Sequence, residues 1–139
     1  MNMGTSMTIL LADDHALVRQ CLRTLLSEQP GLRVIGEADS GRAAVRMARE
    51  LRPAVVLMDV TMPGLNGIDA TRAIRRGSPE TRVVAVSMHP ERQFVSQMLA
   101  ADASGYVLKD CPFEELLAAI DAAGRGETFI SPQLAALTT

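Results

Sequence analysis

Several polar side chains in this sequence stand directly after an apolar run of the kind that forms a buried strand. These side chains are Asp13, Asp14, Asp59, Ser87 and Lys109. The stretch VVLMD at 55–59 shows the pattern most clearly, because four apolar residues lead without a break into a carboxylate. Burying a carboxylate without a partner is costly, so an acid at the end of a buried strand needs a specific reason.

The combination of three carboxylates, a lysine and a serine favours phosphoryl chemistry. Carboxylates held close together repel, and one of them is pushed towards its protonated form unless a cation neutralises the group. Since the sequence has no His or Cys cluster, the site suits a hard divalent ion, and Mg²⁺ with waters and a phosphate fits better than a full Ca²⁺ cage. Asp59 could then attack phosphorus, while Mg²⁺ and Lys109 neutralise charge on the phosphoryl oxygens and Ser87 donates a hydrogen bond.

The elements that must position these side chains alternate between strand and helix. Apolar runs predict strands at 9–12, 32–38, 54–58, 82–87 and 105–109. Helical periodicity and breakers predict helices at 18–26, within 39–53, at 67–76, at 90–101 and at 113–120. The second helix is expected to be capped by Asp39 or Ser40 and to end before Pro53.

This alternation implies right-handed crossovers and a parallel sheet that is covered by helices on both faces. We therefore predict an α/β fold, a three-layer sandwich of five helices around a five-stranded parallel sheet with strand order 2-1-3-4-5. With this order, the polar residues at the carboxyl ends of the strands are neighbours at one edge of the sheet. We expect Asp59 to lie there at the mouth of a pocket, partly solvated, near Asp13, Asp14 and Lys109.

Composition narrows the class of protein. A chain of 139 residues with 47% hydrophobic and 22% charged residues fits one globular domain. Its net charge of -2 argues against nucleic-acid binding by this piece alone. No apolar stretch approaches the roughly 20 residues of a membrane span, so we expect a cytoplasmic location and no membrane partner. Two distant cysteines, Cys21 and Cys111, are expected to be reduced.

The motifs as a set resemble a known family. The stretches LLADDH, VVLMDVTMPGLNGID, VVAVSMH and SGYVLKD are similar to the receiver domain of two-component response regulators, which has the flavodoxin-like, CheY-like fold. The stretches MPGLNGIDATR, GYVLKDCPFEELLAAI and GETFISPQLA resemble most closely the NarL/FixJ class. The resemblance covers nearly the whole chain after its first residues.

The resemblance implies a phosphoacceptor site. Asp59 would take a phosphoryl group from the phosphohistidine of a sensor histidine kinase. Mg²⁺ would be held by Asp14, by Asp13 through water, by Asp59 and by the backbone carbonyl of Thr61. Lys109 would pair with the acceptor carboxylate and then with the phosphoryl group.

The resemblance also implies a switch. Ser87 would swing towards the phosphoryl group and Tyr106 would follow by turning inward, which changes the surface that controls dimerisation and DNA binding. Members of the NarL/FixJ class usually continue into a helix-turn-helix DNA-binding domain, which is not present in these 139 residues. We expect a mobile leader at 1–7, the receiver domain at 8–127, and the start of a linker or a short helix at 128–139. Regulation of transcription would therefore act through a domain outside this chain.

Other interpretations remain open at this point. Asp59 taken alone could cap a turn. It is the presence of the other polar residues at neighbouring strand ends that favours a chemical role for Asp59. The chain could be a complete single-domain receiver that acts by binding another protein, or an aspartyl-phosphate phosphatase, although such enzymes usually carry a second Asp where this chain has Thr61. His15 and His89 flank the site and are expected to begin helices. The output of a receiver is a changed surface, so we do not expect an enzyme.

Overall fold

The computed structural model describes residues 7–135, which form six strands and six helices. In chain order these are β1 (Met7–Ala12), α1 (Ala16–Ser27), β2 (Leu32–Ala38), α2 (Gly41–Leu51), β3 (Val55–Met58), α3 (Gly67–Gly77), β4 (Arg82–Ser87), α4 (Arg92–Ala100), β5 (Gly105–Leu108), α5 (Phe113–Gly124), β6 (Phe129–Ile130) and α6 (Pro132–Ala135). Of the expected leader, residues 1–6 lie outside the described residues, whereas Met7 begins β1.

The strands form one parallel sheet with the order β2-β1-β3-β4-β5-β6. The predicted order of the five main strands is confirmed. The sixth strand was not predicted, because a run of two residues is too short to show a period of two. It pairs Phe129 with Gly105 and Ile130 with Tyr106, and so covers the edge of β5. The short α6 lies within the range 128–139, for which we expected the start of a linker or a short helix, and residues 136–139 of that range lie outside the described residues.

Helices cover both faces of the sheet, as predicted, because successive strand residues point to opposite sides. Leu10 and Ala12 of β1 belong to the core beneath α2, α3 and α4. Ile9 and Leu11 belong to the core beneath α1 and α5. Leu134 of α6, 2% exposed, joins the first of these cores. Both faces of β3 and of most of β1 and β4 are therefore buried, which explains their continuous apolar runs, whereas β2 is only partly buried.

Side chains at the helix starts hold the loops that lead away from the strand ends. Ser40, one of the two caps predicted for α2, accepts a hydrogen bond from the backbone N–H of Ala43 at 3.1 Å. Asn66 caps α3 in the same way, accepting from the N–H of Asp69 at 2.9 Å. Predicted and observed element bounds differ mainly by one or two residues at the ends, where helices and strands fray.

Two further expectations concern the cysteines and the membrane. Cys21 is free and exposed, and Cys111 is free and half-buried. Among the helices of residues 7–135, none combines the length and the apolar character that crossing a membrane would require.

Candidate functional site

The ends of β1, β3 and β5 bring the predicted side chains to one edge of the sheet. The backbone ladder continues one residue past these strands: the N–H of Asp59 donates to the carbonyl of Ala12 at 2.9 Å, and the N–H of Lys109 donates to the carbonyl of Ser87 at 2.8 Å. Asp13 follows β1 directly. Regular strand pairing therefore holds the backbones of these residues at one level of the sheet, and their side chains meet.

Lys109 lies between two buried carboxylates. Its Nζ is 2.8 Å from Asp13 Oδ2 and 3.4 Å from Asp59 Oδ2. Asp13 is 4% exposed and Asp59 is 3% exposed. The longer distance exceeds that of a charge-assisted hydrogen bond, and Oδ2 of Asp59 is buried without any hydrogen-bond partner among the described residues. This oxygen of Asp59 therefore has an ion-pair contact with Lys109 but no hydrogen-bond donor, which leaves room for a closer donor or a metal ion.

The burial of Asp59 corrects one expectation. The sequence led us to expect a partly solvated carboxylate, whereas the side chain is covered. The loop after β3 explains this difference, because Val60 and Met62 on either side of Thr61 are both buried in the core and draw the chain inward. Burial raises the pKa of the Asp59 carboxyl above its ordinary value; Lys109 opposes this rise and the charge of Asp13 adds to it.

Asp14 and His15 complete the cluster from the loop before α1. One ligand atom from each of Asp13, Asp14, His15 and Asp59 can be chosen so that all lie within 4.8 Å of one another. The ring Nδ1 of His15 is 3.1 Å from Asp13 Oδ1 and 3.2 Å from Asp14 Oδ1. His15 does occupy the first position before α1, as expected, but the sequence reading missed its ring as a member of the cluster. Its place directly after two acids was the available signal.

The donor set fits a divalent cation. Three carboxylates face one ammonium group, so the cluster carries excess negative charge that a cation would offset. The Oδ2 of Asp59, which has no hydrogen-bond partner among the described residues, is a buried oxygen of the kind that a hard metal ion binds. Thr61 adjoins this oxygen set, since its backbone N–H donates to Asp59 Oδ1 at 3.4 Å. Its carbonyl remains a predicted ligand.

Ser87 and Tyr106, the two predicted switch residues, both contact the backbone of His89. The hydroxyl of Ser87 accepts the N–H of His89 at 3.0 Å, and the hydroxyl of Tyr106 donates to the carbonyl of His89 at 2.7 Å. Both side chains are fully buried. Tyr106 thus already points inward in this structure. Two hydrogen bonds connect His89, in the segment between β4 and α4, to buried side chains.

Replacing Asp59 with Asn is expected to stabilise the protein at neutral pH. The folded state raises the pKa of the Asp59 carboxyl and so favours its protonated form. The contribution of Asp59 to stability is therefore fully present below pH 3.8, the ordinary pKa, and is lost as pH rises through the raised pKa. Asn removes this loss, and each pKa unit corresponds to about 1.4 kcal/mol. Thermal unfolding in EDTA between pH 3 and 8 should therefore show a higher midpoint for Asp59→Asn at pH 7 and convergence near pH 3. A variant that is less stable than wild type at pH 7 would contradict the costly burial.

Comparison with known proteins agrees with this arrangement. The family profile for the response regulator receiver domain matches residues 9–121. The response regulator GacA of Pseudomonas viridiflava is 45% identical over 127 residues, which cover 91% of this chain and 59% of GacA. The chain therefore spans less than two thirds of the length of this relative.

Solved structures extend the comparison to the fold. A LuxR-family two-component response regulator from Aurantimonas sp. SI85-9A1 has a TM-score of 0.90 and 39% identity, covering 95% of this chain and 94% of that one. The isolated REC domain of RcsB from Salmonella enterica serovar Typhimurium, solved with the phosphomimetic BeF3-, has a TM-score of 0.87 and 27% identity, covering 97% and 100%. Another structure shows two RcsB dimers bound to two parallel DNAs. With the family profile matching most of its length, this chain belongs to the receiver-domain family of two-component response regulators.

Proposed function

We propose that this receiver domain accepts a phosphoryl group on Asp59 from the phosphohistidine of a sensor histidine kinase. The observation that carries the proposal is the buried Oδ2 of Asp59, which lies 3.4 Å from Lys109 Nζ and has no hydrogen-bond partner among the described residues. A carboxylate oxygen of Asp59 forms a bond to phosphorus as the bond from phosphorus to the donor imidazole nitrogen breaks, and that nitrogen keeps the electron pair. The product is an acyl phosphate, and the result is an altered surface rather than a released product.

The residues around Asp59 would neutralise the negative charge of the phosphoryl group in two ways, through a bound Mg²⁺ and through Lys109. Mg²⁺ would be held by Asp13, Asp14, Asp59 and the carbonyl of Thr61, and would supply positive charge to the phosphoryl oxygens. Lys109 already touches both buried acids, so it is placed to move from the carboxylate to the phosphoryl group. Its ammonium is a compact charge that suits this exchange of partners.

The two hydrogen bonds to His89 offer a route from the site to the surface. If a phosphoryl oxygen accepts the hydroxyl proton of Ser87, this side chain must turn, and the N–H of His89 loses its acceptor. The carbonyl of His89 holds Tyr106 in the core, so movement of this segment shifts the tyrosine and the adjoining α4 surface. A small electrostatic change would thereby bias a two-state element.

The regulatory output of this receiver domain is proposed to be carried by a domain outside this chain. Response regulators of this type partner with sensor histidine kinases, and RcsB, a structural relative, forms dimers on DNA. We infer that phosphorylation controls dimerisation and DNA binding through a further domain, which is consistent with the 59% of GacA that the chain spans. The cytoplasmic location remains a prediction.

Intact-mass measurement tests the acceptor directly. The protein is incubated with Mg²⁺ and acetyl phosphate, and wild type should gain one phosphoryl group that hydroxylamine removes, as expected of an acyl phosphate. Asp59→Asn should gain none. Asp69→Asn is the matched control, because Asp69 is an exposed acid on α3 that pairs only with Arg72 among the described residues; it should behave as wild type. An unmodified wild type, or equal modification of Asp59→Asn, would refute the proposal.

A further inference from the structure

His15 introduces a nitrogen donor into a site otherwise built from oxygen. Its Nδ1 lies 3.1 Å and 3.2 Å from one oxygen each of Asp13 and Asp14, and the cluster including Asp59 spans no more than 4.8 Å. Around an octahedral ion with bonds of about 2.1 Å, neighbouring donors are about 3 Å apart and opposite donors about 4 Å. The separations of 3.1 Å and 3.2 Å thus match neighbouring ligands of one ion, and no pair in the cluster is more than 4.8 Å apart, slightly above the separation of opposite ligands.

Both oxygens of Asp13 have partners other than the ring of His15. Oδ1 of Asp13 accepts the backbone N–H of His15 at 2.8 Å, and Oδ2 of Asp13 pairs with Lys109 at 2.8 Å. The side chain of His15 is 65% exposed, so the ring has room to turn into solvent. It nevertheless lies against two acids. Independently, the buried Oδ2 of Asp59 has no hydrogen-bond partner among the described residues and only the 3.4 Å contact with Lys109 Nζ, which indicates room for a closer cation.

We propose that His15 is a metal ligand through Nδ1 and that this site consequently prefers a divalent first-row transition ion, such as Mn²⁺, over Mg²⁺. This inference rests on the proposed metal site of the receiver. Carboxylate and water ligands suit both ions, whereas Mg²⁺ gains little from imidazole and transition ions bind it well. With the metal bound, Nδ1 would carry no proton and the ring proton would sit on Nε2.

His89 provides a matched control outside the cluster. Its ring stacks on Phe94 with centroids 4.5 Å apart, and its Nε2 lies 3.4 Å from the hydroxyl of Thr61. It does not belong to the cluster formed with Asp13, Asp14 and Asp59. A histidine-to-glutamine change at either position removes one imidazole near Asp59, but only the change at His15 should remove a ligand.

The test uses Mn²⁺ as the probe. Pulsed electron paramagnetic resonance of the Mn²⁺-loaded protein should show coupling to a ligand nitrogen in wild type and in His89→Gln, and none in His15→Gln. Calorimetric titration should show that His15→Gln lowers Mn²⁺ affinity by about tenfold or more, with a much smaller change for Mg²⁺. Thermal unfolding in EDTA checks that the exposed substitution leaves the fold intact.

Three results would overturn the inference: no nitrogen coupling in wild type, an unchanged preference for Mn²⁺ over Mg²⁺ in His15→Gln, or loss of the coupling in His89→Gln instead. Each of these leaves the proposed phosphoacceptor standing, since the mass assay on wild type in Mg²⁺ judges it separately. If wild type bound no divalent ion at all, the metal site of the proposed function would fall together with the role of His15.

Discussion

Replacing Lys109 with Met lowers the free energy of unfolding by about 3–5 kcal/mol at neutral pH, the usual cost of removing one partner from a buried ion pair. Lys109 is 10% exposed on its side chain and contacts Asp13 and Asp59, which are both buried. Methionine fills a similar volume but leaves two covered carboxylates without their cation. The loss should shrink at acid pH, where carboxylates take up protons, and Mg²⁺ should restore part of it.

Denaturant unfolding with and without Mg²⁺ measures this effect. Arg72→Met is the matched control: it removes a comparable ion pair, with 3.0 Å between Arg72 Nη1 and Asp69 Oδ1, from an exposed helix surface. Such a pair contributes less than about 1 kcal/mol. If Lys109→Met were no more destabilising than Arg72→Met, the two buried acids would not depend on Lys109.

The same substitution should slow phosphorylation of Asp59. Removing one preorganised charge from a water-excluded site typically costs a factor of roughly 100 or more in rate. A mass-based time course with acetyl phosphate measures the rate at saturating Mg²⁺, where the folded fraction of the variant is checked in parallel. Phosphorylation of Lys109→Met at the wild-type rate would show that Lys109 is structural only.

Replacing Gly67 with Ala is expected to disrupt the site from the loop beneath it. A Cβ at Gly67 would lie 2.0 Å from the carbonyl oxygen of Asp59 and 2.8 Å from the Cα of Val60. Both contacts are with backbone, so no side chain can turn away to make room. The start of α3 must therefore separate from the end of β3, which moves Asp59. Such overpacking costs about 1–3 kcal/mol and should also slow phosphorylation.

Gly77 gives a control within the same helix. Among residues 7–135, no atom lies within 4 Å of a Cβ built at Gly77, the last residue of α3. Gly77→Ala should leave stability unchanged or slightly raised, because alanine favours the helix. Thermal unfolding and the mass assay of both variants decide the matter. If Gly67→Ala matched Gly77→Ala in both, the close approach of α3 to Asp59 would not constrain the site.

The sequence alone was sufficient for the arrangement of strands and for the residues at their ends. Buried parallel strands require continuous apolar runs, so a run that stops at Asp59 or Lys109 marks both a strand and its carboxyl end. The order of the five main strands and the three layers are confirmed by the structure. The two-residue β6 was missed because its pairing with β5 is a long-range contact without a local pattern.

Only the tertiary structure decided how deeply the site lies and which neighbours join it. Sequence periodicity tells which side of a strand a residue faces, but the cover above a strand end depends on loops that come from elsewhere. Val60 and Met62 pack into the core and keep Asp59 below the surface, and this burial raises the pKa of the Asp59 carboxyl. The turn before α1 likewise places the ring of His15 among carboxylates. Local apolar pattern thus determined where the acids are, whereas packing across the chain determined their burial and their partners.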